Sequence, residues 1–298
     1  MKNAKILFPV LAIVVLALTA TAEPPVQGQP WTNSLGMKFV PVPGTTVLFC
    51  IWDTRVKDFE AFVSATSHDA TRNVFTLTAD RQKEGIGSWK APGFAQMGEH
   101  PVCCVNWNDA KTFCNWLTAK ERREGRLLKE GQEYRLPTDA EWSVAVGLEE
   151  EDKPGRTPEE KDGKVKGYPW GRQWPPPAGA GNYAGEEAKN ADWPSEFEVI
   201  KGYRDDYPRT SPVGSFKANR FGLYDMSGNV WQWCEDIYAP GSAVGGRLQE
   251  CERVLRGGSW LDRSSNFLES SAREHIRSPN FRDANHGFRV VLAGASSR

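Results

Sequence analysis

"GLYDMSGNVWQWCEDIY", Gly222 to Tyr238, sets two tryptophans and two tyrosines among five side chains that end in a carboxyl or amide oxygen: Asp225, Asn229, Gln232, Glu235 and Asp236. Gly228 bends the chain so that the carbonyls of Gly228 and Val230 can face one point, with the Asp225 carboxylate and the Gln232 amide oxygen beside them. Calcium accepts such a mixture, taking about six to eight oxygens from carboxylates, amides and backbone. Upstream, Asn182 in "GNYAG" and Asp205 in "RDDYPRTSPVG" also place a side-chain oxygen next to a turn. No EF-hand-like spacing fixes a ligand set, and on spacing alone these residues favour turns made with their own backbone.

Around this stretch, from Trp170 to Trp260, short apolar pieces alternate with Gly, Asn, Asp and Pro, and no helical period lasts beyond two turns. That pattern predicts a loop-rich α+β region. Farther out, "FVPVPGTTVLFCIW" predicts a strand pair near the N-terminus. "DTRVKDFEAFV" predicts a helix with Asp53 or Thr54 as cap. "NWNDAKTFCNWLTAKERR" predicts a second helix, capped by Asn106, with Asp109 near its positive end and Trp107, Ala110, Cys114 and Leu117 as its buried stripe. In "RLPTDAEW", Thr138 and Glu141 form a capping box that Leu136 and Trp142 can clasp. The charged run "GLEEEDKPGRTPEEKDGKVKGYPWG" reads as a solvated loop, and "HGFRVVLA" as a closing strand.

The first 22 residues read as a signal peptide: Lys2 and Lys5, an apolar run from Ile6 to Leu18, then "ATA". A flexible leader over 23–32, one domain over 33–292 and a tail over 293–298 follow. These boundaries predict a secreted or periplasmic protein with no membrane attachment after cleavage. Among 298 residues, 37 Lys and Arg offset 38 Asp and Glu, so charge gives no case for nucleic acid. The 12 Trp, 28 Gly and 20 Pro point to many turns pinned by aromatic rings. Six cysteines in an exported chain suggest disulfides, with Cys234–Cys251 the preferred pair and Cys50 with Cys103 or Cys104 next; Cys114 suits a buried thiol. Four histidines, at 68, 100, 275 and 286, make no metal pair. His275 and His286 could meet across a loop. No serine-nucleophile elbow or phosphate-binding glycine loop is present, and "RGGSW" suits a close backbone crossing.

Taken in order, "WNDAKTFCNWL", "YRLPTDAEW", "YPWG", "TSPVGSFKANRFGLYDMSGNVWQW", "RVLRGGSW" and "NHGFRVV" resemble the formylglycine-generating enzyme family, the sulfatase-modifying factors. The resemblance runs from about Asn33 to about Leu292. It implies a single compact α+β domain of low regular structure, similar to the C-type lectin fold, with structural calcium. It implies one calcium site from the Asn182 side chain, Tyr183 carbonyl, Asp205 side chain and Tyr207 carbonyl. A second is implied from Asp225, the Gly228 and Val230 carbonyls and Gln232, where the family usually has Glu. Catalytic members oxidise a substrate Cys with copper(I) held by two cysteines, and soft thiolates suit that ion. Here Asp262 and Phe267 align with the two positions, so copper is not expected. The resemblance then implies a module without the oxidase chemistry that binds a peptide, glycan or protein through Ser259, Trp260, Asp262, Phe267 and Asn285. The alternative is an enzyme that makes formylglycine or performs another reaction in the same groove.

Overall fold

The computed structural model describes residues 24–77, 82–84, 87–127, 130–148, 156–190, 193–194, 197–238, 243–244, 247–248, 251–274 and 278–294. The signal peptide expected over 1–22, the end of the expected tail and His275 lie outside them. Of that tail, Ala293 belongs to the last strand.

A five-stranded antiparallel sheet runs in the order Trp31–Thr32, Lys38–Pro41, Leu48–Cys50, Val291–Ala293 and Glu133–Arg135. The expected N-terminal strand pair is its second and third members. A four-stranded sheet runs Arg273–Glu274, Arg253–Arg256, Trp231–Ile237 and His286–Phe288, the last pairing being parallel. "HGFRVVLA" is therefore two strands in two sheets. Arg289 and Val290 carry the chain between them, and both are fully buried. A smaller sheet joins Arg282–Asp283, Val74–Leu77 and Gln82–Glu84.

Helix α1, Val56–Thr66, begins one residue later than the cap expected from sequence: Arg55 is the N-cap, and Asp58 accepts from both its backbone N–H and its guanidinium. A two-pronged Arg–carboxylate contact outcompetes a lone Asp or Thr cap. Helix α2, Trp107–Arg123, is capped by Asn106 and Asp109 reciprocally, as expected. Helix α3, Asp139–Val146, starts at the Thr138–Glu141 capping box. Leu136 and Trp142 do not clasp it, because each is buried in a different core cluster. Within the run expected as a loop, Pro158–Lys161 forms a helical turn, α4, capped by Thr157.

The largest core cluster centres on Phe59, whose ring meets Phe62, Trp89, Phe113 and Phe288 at 5.2–6.4 Å. These edge and offset contacts add to the burial of rings carrying some 150–250 Å² each. A second cluster holds Phe49, Trp142, Leu223, Met226, Val254 and Val291 between α3 and the two main sheets. All six cysteines are thiols, so neither expected bridge forms. Cys234 is fully buried in the second cluster, whereas Cys50, Cys103, Cys104 and Cys114 pack in the first. Burial pushes the Cys50 and Cys114 thiols up to about 12. These side chains act as small hydrophobes.

Candidate functional site

Three turns converge on a knot of oxygens. Asn182 is fully buried; its amide N–H donates to the Arg209 carbonyl at 2.8 Å, and its Oδ1 has no partner. The Tyr183 and Tyr207 backbone N–H groups donate to the two Asp205 carboxylate oxygens at 2.8 and 2.9 Å. The short helical turn Glu186–Asn190 brings in Glu187, buried, with both carboxylate oxygens unpartnered. Burial pushes the Asp205 carboxyl up to about 8, and the facing Glu187 carboxyl adds to that rise. Buried oxygens normally have hydrogen-bond partners, and orphaned ones carry a desolvation cost of about 1–3 kcal/mol each. Three orphaned oxygens beside a crowded carboxyl fit a hard cation, and an all-oxygen set suits calcium over a soft metal.

The structure thus brings Asn182, Tyr183, Asp205 and Tyr207 together and adds Glu187, which spacing alone does not single out. Its signal is Gly185: any side chain there would overlap the Glu187 carboxylate. A glycine two residues before an acid, following "NY", marks the place where the carboxylate folds back.

The second expected set behaves differently. Asp225 sits at φ 53°, the left-handed region, and its Oδ2 accepts from the Gly214 N–H at 2.8 Å. Gly228, at φ 80°, lies against the Asn182 backbone, where a Cβ would overlap the carbonyl. Val230 follows, fully buried. Gln232 is not a free ligand. Its Oε1 accepts from the Trp142 indole N–H at 3.0 Å and from Arg289 Nε at 3.1 Å, and its Nε2 donates to the Asp225 carbonyl at 2.6 Å. An amide oxygen has two lone pairs, and both are taken. Gln232 is a lock holding α3, the Asp225 turn and the link between the sheets. The Arg289 guanidinium beside it also donates to the Cys50 carbonyl and lies 3.3 Å from Asp53.

The groove residues gather after the Gly257–Gly258 crossing. Ser259 Oγ donates to Asp262 Oδ2 at 2.7 Å and accepts from Asn285 Nδ2 at 3.3 Å. The Trp231 side chain also bonds to Asp262; burial, followed by the nearby Glu274, pushes this carboxyl up to about 7. His286 Nε2 and Glu274 Oε2 are 2.7 Å apart. Asn285 Oδ1 is buried without a partner. Phe267 is 44% exposed and meets Trp231 edge-on at 6.5 Å. Trp260 is only 1% exposed, so it is core and not a ligand anchor. Its indole N–H donates to the Ala284 carbonyl at 3.1 Å, and Phe94 and Trp193 flank its ring. Of this set only the Phe267 ring is exposed; Asp262 is partly buried and the orphaned Asn285 oxygen is fully covered.

The other histidines belong to the scaffold: His68 pairs with Asp109 at 2.8 Å, and His100 bonds to Thr210 at 3.0 Å. Among the described residues no group of three His, Cys, Asp or Glu side chains forms a metal cluster, and no helix is long and apolar enough to cross a membrane.

Residues 47–293 match the sulfatase-modifying factor enzyme 1-like domain. The chain is 32% identical to the inactive Cα-formylglycine-generating enzyme 2 of Mus musculus over 71% of its length and 54% of that protein's. It is 30% identical to the formylglycine-generating enzyme of Streptomyces coelicolor, covering 78% of this chain and 74% of that one. Against several of these relatives the chain spans about half their length. Among solved structures, PvdO from Pseudomonas aeruginosa superposes with a TM-score of 0.56 at 22% identity, covering 90% of this chain and 98% of that one, a likeness of fold.

Proposed function

The chain belongs to the sulfatase-modifying factor family, and from that premise we propose that it is an exported, calcium-stabilised domain whose groove binds an extended peptide without copper chemistry. What supports the reading is the resemblance, which puts Asp262 and Phe267 at the two positions of the family's sulfur pair, side chains that do not grip a soft ion. The half-exposed Phe267 ring offers an apolar anchor. Beside it the partly buried Asp262 carboxyl offers a polar partner for peptide groups. Calcium at Asn182, Tyr183, Asp205, Tyr207 and Glu187 supplies charge neutralisation to a loop region that lacks ladder hydrogen bonds. A peptide array with the full mature protein tests the groove. Phe267→Ala should weaken the best peptide at least about tenfold, the scale of one truncated anchor. Peptides that bind Phe267→Ala and Asp262→Ala as tightly as wild type count against it. Capture of only glycans or folded proteins replaces peptide with that class.

The second reading, an enzyme, rests on the Asp262 carboxyl, which burial pushes up to about 7 against the lowering hydrogen bonds from Ser259 and Trp231, the range a general acid or base needs. Incubation with a Cys-containing sulfatase peptide, copper and oxygen decides between the two. Aldehyde formation lost in Asp262→Ala would establish catalysis.

A further inference from the structure

Apart from the Ser259–Phe267 groove, two cavities of about 420 and 430 Å³ adjoin at the turn Tyr168–Gly171; Pro169 and Arg220 line both, and the first reaches the Asp225–Ser227 turn. The turn is braced by mutual Tyr168 and Gly171 backbone hydrogen bonds of 2.7 and 2.9 Å. Its Tyr168 and Trp170 rings stack 4.7 Å apart and 6° from parallel, and Trp174, 40% exposed, leans on Tyr168 at 5.6 Å. The first cavity has Lys217 and Arg220 at its rim and Asp225 and Ser227 in its floor; the second is lined by Lys166, Arg172 and Arg220. Lys166 pairs with Glu269 at 2.9 Å, whereas Arg172 and Lys217 make no ion pair among the described residues. On a chain of net charge −1, Arg172 and Lys217 are thus, among the described residues, two cations without an ion pair at one cleft.

We propose that these adjoining cavities bind an acidic oligosaccharide, one ring in each, with its carboxylate or sulfate groups on Arg172 and Lys217. A pyranose presents an apolar C–H face, which suits the aromatic ridge, and hydroxyls that need acceptors as well as donors. Ser227 and Asp225 supply the acceptors, and the cations supply donors for the acid groups. A neutral glycan leaves the two unpaired cations unused. A single-stranded nucleic acid needs a continuous basic track, whereas the turn divides this cleft in two. The cavities are separate from the Ser259–Phe267 groove, so this inference stands or falls independently of the peptide reading.

The experiment is calorimetric titration of the full mature protein at about 0.15 M salt, where exposed charge attraction is already screened. The probes are a sulfated tetrasaccharide, a uronic-acid tetrasaccharide, a neutral glucose tetramer and a single-stranded oligonucleotide. Binding of either acidic sugar at least about tenfold tighter than the neutral one is expected, and the stronger of the two identifies the acid group. Arg172→Glu and Lys217→Glu should each weaken it about tenfold with melting temperature unchanged, while Asp262→Ala leaves it intact. Equal binding of the neutral tetramer, tighter binding of the oligonucleotide, no acidic sugar bound at about 1 mM, or unaltered affinity in both charge-reversed variants overturns the proposal.

Discussion

On the proposed calcium assignment, an ion entering between Asp205 and Glu187 must displace the proton that burial holds on Asp205. With that carboxyl at about 8, against an ordinary 3.8, apparent calcium affinity should fall about tenfold at pH 7 and about a hundredfold at pH 6 relative to pH 9. The sign in calcium-free protein runs the other way from that of a salt-bridged aspartate such as Asp139. A raised folded value contributes stability that is complete below 3.8 and is lost as pH rises toward 8. The calcium-free protein therefore weakens between about pH 4 and pH 8, and calcium restores most where the loss is greatest. At a hundredfold excess over Kd the ion adds about 2.7 kcal/mol, or about 5–10 °C in Tm for a domain of this size. Scanning calorimetry with calcium and with chelator at pH 6, 7, 8 and 9 reads the gain. Titration in two buffers of different ionisation heat counts close to one proton released at pH 7. A gain independent of pH, or an Asp205→Asn variant that keeps the full calcium response, refutes the assignment.

Gln232→Ala should cost about 2–4 kcal/mol, because it strands the Trp142 and Arg289 N–H donors, yet leave calcium affinity at the Asn182–Asp205 site unchanged; denaturant unfolding and calcium titration separate the two effects. Gly228→Ala forces a methyl into the Asn182 carbonyl at positive φ, so both stability and calcium affinity should fall, the former by more than about 2 kcal/mol. Asp139 is buried, which alone would raise its carboxyl, but the guanidinium groups of Arg256 and Arg273 outweigh that and hold it below the ordinary range. Its stabilisation is present above pH 3.8 and lost as pH falls below it; Asp139→Ala should cost about 3–5 kcal/mol at neutral pH by leaving two buried cations, read by urea unfolding. Thiol titration of native protein should report fast reaction at Cys251 alone, with six thiols after denaturation and no mass change on reduction.

Elements fixed by local chemistry were legible in the sequence. The Asn106 and Thr138 caps and the Lys38–Cys50 strand pair lie where short-range pattern puts them, because a cap needs only residues three apart. The Arg55 cap was missed because it is an ion pair, and "HGFRVVLA" was read as one strand because an unbroken apolar run carries no mark of a change of sheet. The first oxygen cluster is legible through the family resemblance, since spacing alone favours ordinary turns at Asn182 and Asp205, but not Glu187, whose approach depends on a helical turn closing over Gly185. Gln232 looked like a ligand by alignment. Only the long-range arrival of Trp142 and Arg289 shows its oxygen to be occupied. Trp260 was ambiguous because composition cannot say which of twelve indoles faces inward.

The step from Phe288 to Val291 has a consequence for biogenesis. Val291–Ala293 is the interior strand between Leu48–Cys50 and Glu133–Arg135, while His286–Phe288 closes the other main sheet. A nascent chain emerging N-terminus first therefore holds neither sheet complete until residues 286–293 arrive. A truncation before His286 leaves two unfinished sheets in place of one shortened strand.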